Sequence, residues 1–180
     1  MATKTLMTAE EFAHLDTAET EDYELVDGEL IPMAGGTPLH NILRDKTAQV
    51  IRTYLDRNRI GGSAGEMDCR INGEVVRRPD FSIFLGDRWD RLDLSRTPMP
   101  DAPDIAVEMV SPGERMTEVG RKVREYLGAG SREVWLIDQA NGEIQVRTES
   151  GIRLLRRSDM LDSPLLPGFE IRVTELLDAR

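Results

Sequence analysis

One cysteine, Cys69, is the whole of the thiol chemistry in this chain, which excludes an intrachain disulfide and a cysteine-built zinc cluster and calls for no oxidising compartment. Apolar runs are equally scarce. No stretch approaches the roughly 20 apolar residues of a membrane-spanning helix, and Met1 to Leu15 carries no hydrophobic core of a secretory signal. The chain is expected to work in the cytoplasm, with no membrane partner. Positive charge is also short, with 23 Lys and Arg against 33 Asp and Glu and a net charge of -10. That balance weakens a nucleic-acid reading, because phosphate binding is driven by local Lys and Arg. It does not remove it, since Arg70, Arg77 and Arg78 form one cluster and Arg115, Arg121, Lys122 and Arg124 another, and the field at a cleft is what counts. The bland alternative makes both clusters solvated faces. Repeats, low-complexity tracts and long linkers are absent, and so is a Gly-rich phosphate loop of either nucleotide-binding kind. Ser111-Pro112-Gly113 lacks the surroundings and the His partner of a nucleophile elbow, so acyl transfer is not expected.

What is present is enough apolar material, 39% of 180 residues, for one domain over residues 1–180 with a single sizeable core. Its most informative residue is Glu108, set inside the strand-type run Asp104-Ile105-Ala106-Val107-Glu108-Met109-Val110. Holding an ionised carboxylate in a buried strand costs on the order of several kcal/mol, so a metal ion, a cation or a captured proton must compensate. Asp80 is similarly placed. In Val75 to Leu85, Phe81, Ile83 and Leu85 share one face, and Asp80 shares the other with Ser82 and Phe84. Two acids on neighbouring strands suggest a cation site.

Thr8-Ala9-Glu10-Glu11 reads as a capping box opening a short helix through about Leu15. Tyr23 to Val26 and Glu29 to Ile31 flank Asp27-Gly28, a hairpin turn. From Pro38 to Asn58, Leu39, Ile42, Leu43, Val50, Ile51, Tyr54 and Leu55 recur at helical spacing, and Gly61-Gly62 is expected to end that helix. Two strands, Ala64 to Ile71 and Val75 to Leu85, join around Asn72-Gly73. The polar loop from Gly86 to Pro103 is long enough to suggest a lid or a partner contact. After the Glu108 strand come a helix from about Arg115 to Gly130 and a strand, Glu133 to Asp138, that is apolar on both faces like a central parallel strand. Together they make a βαβ unit with a right-handed crossover. Edge strands near Glu143 to Thr148 and Ile152 to Arg156, a packed loop from Ser163 to Phe169 and a helix at Thr174 to Leu177 complete the chain. The expected class is α/β, a mixed central sheet flanked by helices, with an N-terminal hairpin and a βαβ crossover.

Lys122 lies at the edge of the apolar stripe of the crossover helix, three residues after Val119 and four before Tyr126. A lone helical lysine ordinarily snorkels to water. Beside two strand acids it would complete what metal-assisted phosphodiester hydrolysis requires, namely anionic oxygens for a hard cation and a positive group near the reacting centre.

At this point the chain resembles a known family. Tyr23-Glu24-Leu25-Val26-Asp27-Gly28-Glu29-Leu30, Pro38-Leu39-His40, Arg78-Pro79-Asp80, Glu108-Met109-Val110-Ser111-Pro112, Lys122 with Tyr126-Leu127-Gly128-Ala129-Gly130, Glu133 to Asp138 and Ser163 to Phe169 are similar to the Uma-two family. That family belongs to the restriction-endonuclease-like superfamily named for its PD-(D/E)XK motif, and the resemblance runs from about residue 8 to residue 177. It implies a restriction-endonuclease-like core in which Asp80 and Glu108 bind Mg²⁺ or Mn²⁺, the carbonyl of Met109 adds a ligand, and Lys122 stands near the attacking water. Asp80, Glu108 and Lys122 would be catalytic and DNA the substrate, with a homodimer expected by analogy. One departure is plain: the superfamily lysine sits two residues after the acid, where this chain has Val110, so Lys122 must deliver its ammonium from the helix. His40 could contact a phosphate, aid proton transfer or simply bond at a helix start. Glu24 could approach the cation or be an ordinary, partly exposed hairpin glutamate, and Asp104 reads as a turn residue after Pro103. Two other readings stand beside the nuclease: a catalytically inactive nuclease-like binding or regulatory module, which the acidic charge favours, and an interaction protein in which Glu108 is merely salt-bridged to Arg78 or Lys122.

Overall fold

The computed structural model describes residues 6–33 and 35–178. Its first helix, α1 (Ala9–Phe12), carries the expected capping box, with Thr8 Oγ1 accepting from the Glu11 amide at 3.1 Å and Glu11 Oε2 accepting from the Thr8 amide at 2.8 Å. It stops short of Leu15 because Asp16 starts a new helix, α2 (Thr17–Thr20). Asp16 Oδ1 accepts from the Ala18 amide at 3.1 Å, and its own amide bonds Glu19 at 3.1 Å. Strands β1 (Tyr23–Val26) and β2 (Glu29–Pro32) pair as expected about Asp27-Gly28. Both turn residues have positive φ, 51° and 76°, the geometry that matches strand twist in a two-residue hairpin.

The long helix α3 covers Pro38–Asn58, capped by Thr37. Its end differs from expectation: Arg59, at φ 49° in the left-handed region, closes it with an amide bond to Leu55 O. Gly61 and Gly62 open a strand instead, β3 (Gly61–Gly65). They are glycines for close approach, since a Cβ would lie 2.1 Å from Phe84 O at Gly61 and 2.0 Å from the Trp89 ring at Gly62.

The next expected hairpin is broken into two. Strands β4 (Cys69–Arg70) and β5 (Val76–Arg77) pair with each other, and β5 pairs with β1, while β3 pairs with β6 (Phe81–Leu85) in a different sheet. The corner has two causes: Glu66 takes positive φ, 48°, and Pro79 cannot donate to a ladder. Asp80 sits at this corner. The loop that follows contains a helical turn, α4 (Asp87–Asp90), and is fastened rather than free: Arg70 N bonds Met99 O at 2.9 Å, Met99 N bonds Asp68 O at 2.7 Å, and Met99 and Ala102 are buried. The structure therefore does not present it as an open lid.

Strand β7 (Ile105–Met109), helix α5 (Met116–Gly128) and strand β8 (Glu133–Asp138) form the βαβ unit, with β7 and β8 parallel and buried along their length. The edge strands β9 (Glu143–Thr148) and β10 (Gly151–Arg156) follow antiparallel. The C-terminal loop is flanked by a short ribbon, β11 (Met160–Asp162) with β12 (Glu170–Arg172), strands too brief to leave a periodic signal, and ends in α6 (Val173–Leu177). The main sheet has order β10-β9-β8-β7-β6-β3 and mixes parallel with antiparallel pairs. Helices α3 and α6 cover one face, around Phe81, Ile83, Ile105, Val107, Trp135 and Ile137. On the other, Val119, Val123 and Tyr126 of α5 cover Ala106, Val134 and Leu136. The fold is α/β, a mixed central sheet between helices. Among the described residues no helix is long and apolar enough to cross a membrane.

Candidate active site

Strand alternation decides where Glu108 goes. Ile105, Val107 and Met109 turn toward α3, so Ala106 and Glu108 turn toward α5. Antiparallel pairing of Phe81 with Val107 then sets Asp80, one residue before β6, beside Glu108. Glu108 is 8% exposed. Its Oε1 accepts from the Tyr126 hydroxyl at 2.7 Å, and its Oε2 lies 3.4 Å from Lys122 Nζ. Lys122 and Tyr126 are one helical turn apart, so a single stretch of α5 grips both oxygens of the carboxylate. Tyr126 was legible only as part of an apolar stripe. Its buried hydroxyl, which needs a partner, was the missed signal.

Burial pushes Glu108 up to about 7, with the ammonium of Lys122 pulling the other way and the charge of Asp80 adding to the rise. Lys122 is raised above the ordinary lysine range, chiefly by the charge of Glu108. The two shifts oppose each other, one favouring a protonated Glu108 and the other requiring an ionised one. The firmer direction is the rise at Glu108, because its cause is burial of a side chain only 10% exposed, whereas Lys122 keeps a fifth of its side chain exposed and has Glu114 4.0 Å away.

Asp80 is held from two sides. Its Oδ2 accepts from the Met109 amide at 2.7 Å, and its Oδ1 lies 2.8 Å from His40 Nε2. His40 is raised above the ordinary imidazole value, first by that bond to Asp80. Its Nδ1 is buried without a partner.

The donor set here is hard: carboxylate oxygens from Glu108 on β7 and from Asp80 just before β6, with the backbone of Met109 alongside. Among the described residues no three His, Cys, Asp or Glu side chains converge as a closed metal cage would. Mg²⁺ needs no such cage, because it keeps several waters and takes one or two carboxylates. The residues present therefore fit a hydrated hard cation and not a soft or tightly caged metal.

Glu24, Asp104 and the basic residues do more in the structure than the sequence suggested. Glu24 is 6% exposed rather than partly exposed, and bonds the Arg77 guanidinium at 2.8 Å and the Arg78 amide at 3.0 Å. Asp104 lies at the bend after Pro103, as expected, and is in addition a buried clasp. It lies 3.0 Å from Arg88 and 3.2 Å from Arg132, and accepts from the Leu85 amide. Two members of the basic cluster about Asp80 are neutralised within the fold: Arg77 lies between Glu24 and Glu125, and Arg78 bonds Asp68 at 2.7 Å and not Glu108. Arg121 likewise pairs with Asp27 and Glu125.

Comparison with known proteins agrees with this architecture. The sequence pattern of the Uma2 family, described as "Putative restriction endonuclease", matches residues 9–174. An uncharacterized protein from Synechocystis sp. is 26% identical over 125 residues, 67% of this chain, and the match spans 62% of that relative's length. The chain is also similar to a crystal structure described as "a putative nuclease belonging to DUF820" from Anabaena variabilis. The TM-score is 0.81 at 23% identity, over 95% of this chain and 97% of that one. At that identity the likeness establishes a shared fold and nothing finer.

Proposed function

The chain belongs to the Uma2 family of restriction-endonuclease-like proteins, and on that premise we propose that it is a metal-dependent endonuclease hydrolysing phosphodiester bonds in DNA. Asp80 and Glu108, with the carbonyl of Met109, would hold Mg²⁺ or Mn²⁺. When bound, such an ion supplies Lewis-acid charge against a phosphoryl oxygen. The remaining work falls to the chain itself. Tyr126 fixes the rotamer of Glu108 through its hydroxyl. Lys122 places an ammonium where negative charge develops on the phosphoryl group, and a preorganised cation there favours the transition state over the ground state. The whole chain acts as one nuclease domain, in the cytoplasm and as a homodimer.

One observation carries this reading: the buried Glu108, beside Asp80 across the sheet, has Lys122 Nζ 3.4 Å away although that lysine comes from a different element. The test is turnover of supercoiled plasmid with Mg²⁺ or Mn²⁺. Cleavage is expected to need the ion and to be lost in Asp80→Ala, Glu108→Gln and Lys122→Met.

A second reading, a nuclease-like binding module without cleavage, has its own support: both Asp80 oxygens already have protein donors, and Lys122 already has a carboxylate partner. It predicts DNA binding by fluorescence anisotropy that is indifferent to divalent ions, with no nicking of plasmid.

A further inference from the structure

We propose that His40 is the positioning residue of Asp80, holding that carboxylate in the orientation a divalent cation would use. The inference rests on the cation site proposed above. The sequence left His40 with three different roles, among them a mere bond at a helix start. The geometry separates these. The bond of the helix start is made by the His40 backbone, whose amide donates to Thr37 Oγ1 at 3.2 Å. The side chain does something else, because its Nε2 meets Asp80 Oδ1, forty positions along the chain, at 2.8 Å. An ionised carboxylate has no proton to give, so the imidazole is the donor and Nε2 carries the hydrogen.

Among the described residues the ring has no second hydrogen-bonding anchor. Its Nδ1 is buried and unpartnered, so Asp80 alone fixes the ring plane by hydrogen bonding. Space has also been left for it. A Cβ on Gly36 would lie 2.9 Å from His40 Cδ2 and 2.8 Å from Asn41 Oδ1, so the residue just before the helix cap is one without a side chain. On the far side of the carboxylate, the Met109 amide takes Oδ2. One donor from α3 and one from β7 thus pin both oxygens, and each oxygen keeps a lone pair for a cation. Carboxylates that ligate metals are commonly held this way, and the outer partner governs affinity through orientation rather than through contact.

The experiment is calorimetric titration of the purified chain with Mn²⁺, together with far-UV circular dichroism and a thermal midpoint in metal-free buffer. Two variants separate shape from hydrogen bonding: His40→Phe keeps a ring without a donor, and His40→Gln keeps a donor near the Nε2 position. If His40 positions Asp80, the dissociation constant for Mn²⁺ rises roughly 10- to 100-fold in His40→Phe, and His40→Gln recovers most of the loss. A folded His40→Phe that binds Mn²⁺ like the parent overturns the positioning role while leaving the cation site in place. Should His40→Phe fail to fold, His40→Leu, which also lacks the donor, takes its place: weakened Mn²⁺ binding that His40→Gln restores supports the role, and parental affinity in a folded His40→Leu contradicts it. A parent chain that binds no Mn²⁺ overturns the proposed function and this inference with it, a result distinct from all the others.

Discussion

Glu108 concentrates the physical conflict in this molecule. Its carboxyl is raised from 4.5 to about 7, first by burial. Because the folded value exceeds the unfolded one, the associated stability is fully present below pH 4.5 and is lost as pH rises through 7. For the metal-free protein, the stability difference between parent and Glu108→Gln should therefore fall by about 3 kcal/mol across that window. Urea denaturation at pH 4.5 and pH 8 reads it, and a constant difference would show that Glu108 is not titrating in the fold. Tyr126 tests the same group from the other side. Tyr126→Phe deletes the donor to Oε1 and leaves a buried acceptor unsatisfied, at a cost of about 1–3 kcal/mol. A destabilisation within error of zero would mean water replaces the hydroxyl.

Among the elements, α5 carries the site, and what fastens α5 is an ion network that charge counting could not reveal. Arg77 on β5 lies 2.8 Å from Glu24 on β1 and 2.6 Å from Glu125 on α5, and only 4% of its side chain is exposed. Read from sequence, Arg77 belonged to a basic cluster near the strand acids. A linear sequence does not say which partner each charge will find, and here the partners come from elements 48 and 53 residues away. Arg77→Met should remove the cation that Glu24 and Glu125 share, leaving Glu24 buried with only the Arg78 amide, and destabilise by about 3–5 kcal/mol in denaturant unfolding. Recovery of most of that loss in a triple variant that also carries Glu24→Gln and Glu125→Gln would confirm the cause; no recovery would assign the loss to packing. The hairpin, α3, α5 and the parallel pair β7–β8 were legible because each has a strong local period or turn chemistry. The corner at Glu66 and Pro79 was not, because β3 and β4, and likewise β5 and β6, continue one apparent strand in sequence while joining different sheets.

For the whole molecule, the neutralised arginines matter most. With a net charge of -10, and with Arg77, Arg78 and Arg121 engaged by carboxylates, much of the basic sequence near the site is already paired within the fold. Neutralisation of several phosphates gives a steep fall of affinity with salt. DNA binding by this chain should instead show a shallow dependence in anisotropy titrations between 50 and 200 mM salt, about that of one or two phosphate contacts, and a slope typical of six or more would contradict it. The proximity of Asp80, Glu108 and Lys122 was legible in sequence through the strand acids and the family resemblance. The grip of Tyr126 and His40 on those acids was not, because it depends on which helix covers which face. The most direct test of the cation site is a crystal soaked in Mn²⁺ and measured at the manganese absorption edge. An anomalous peak about 2.1 Å from oxygens of both Asp80 and Glu108 is the predicted result. No anomalous peak there after the soak, with Lys122 still against Glu108, would contradict it.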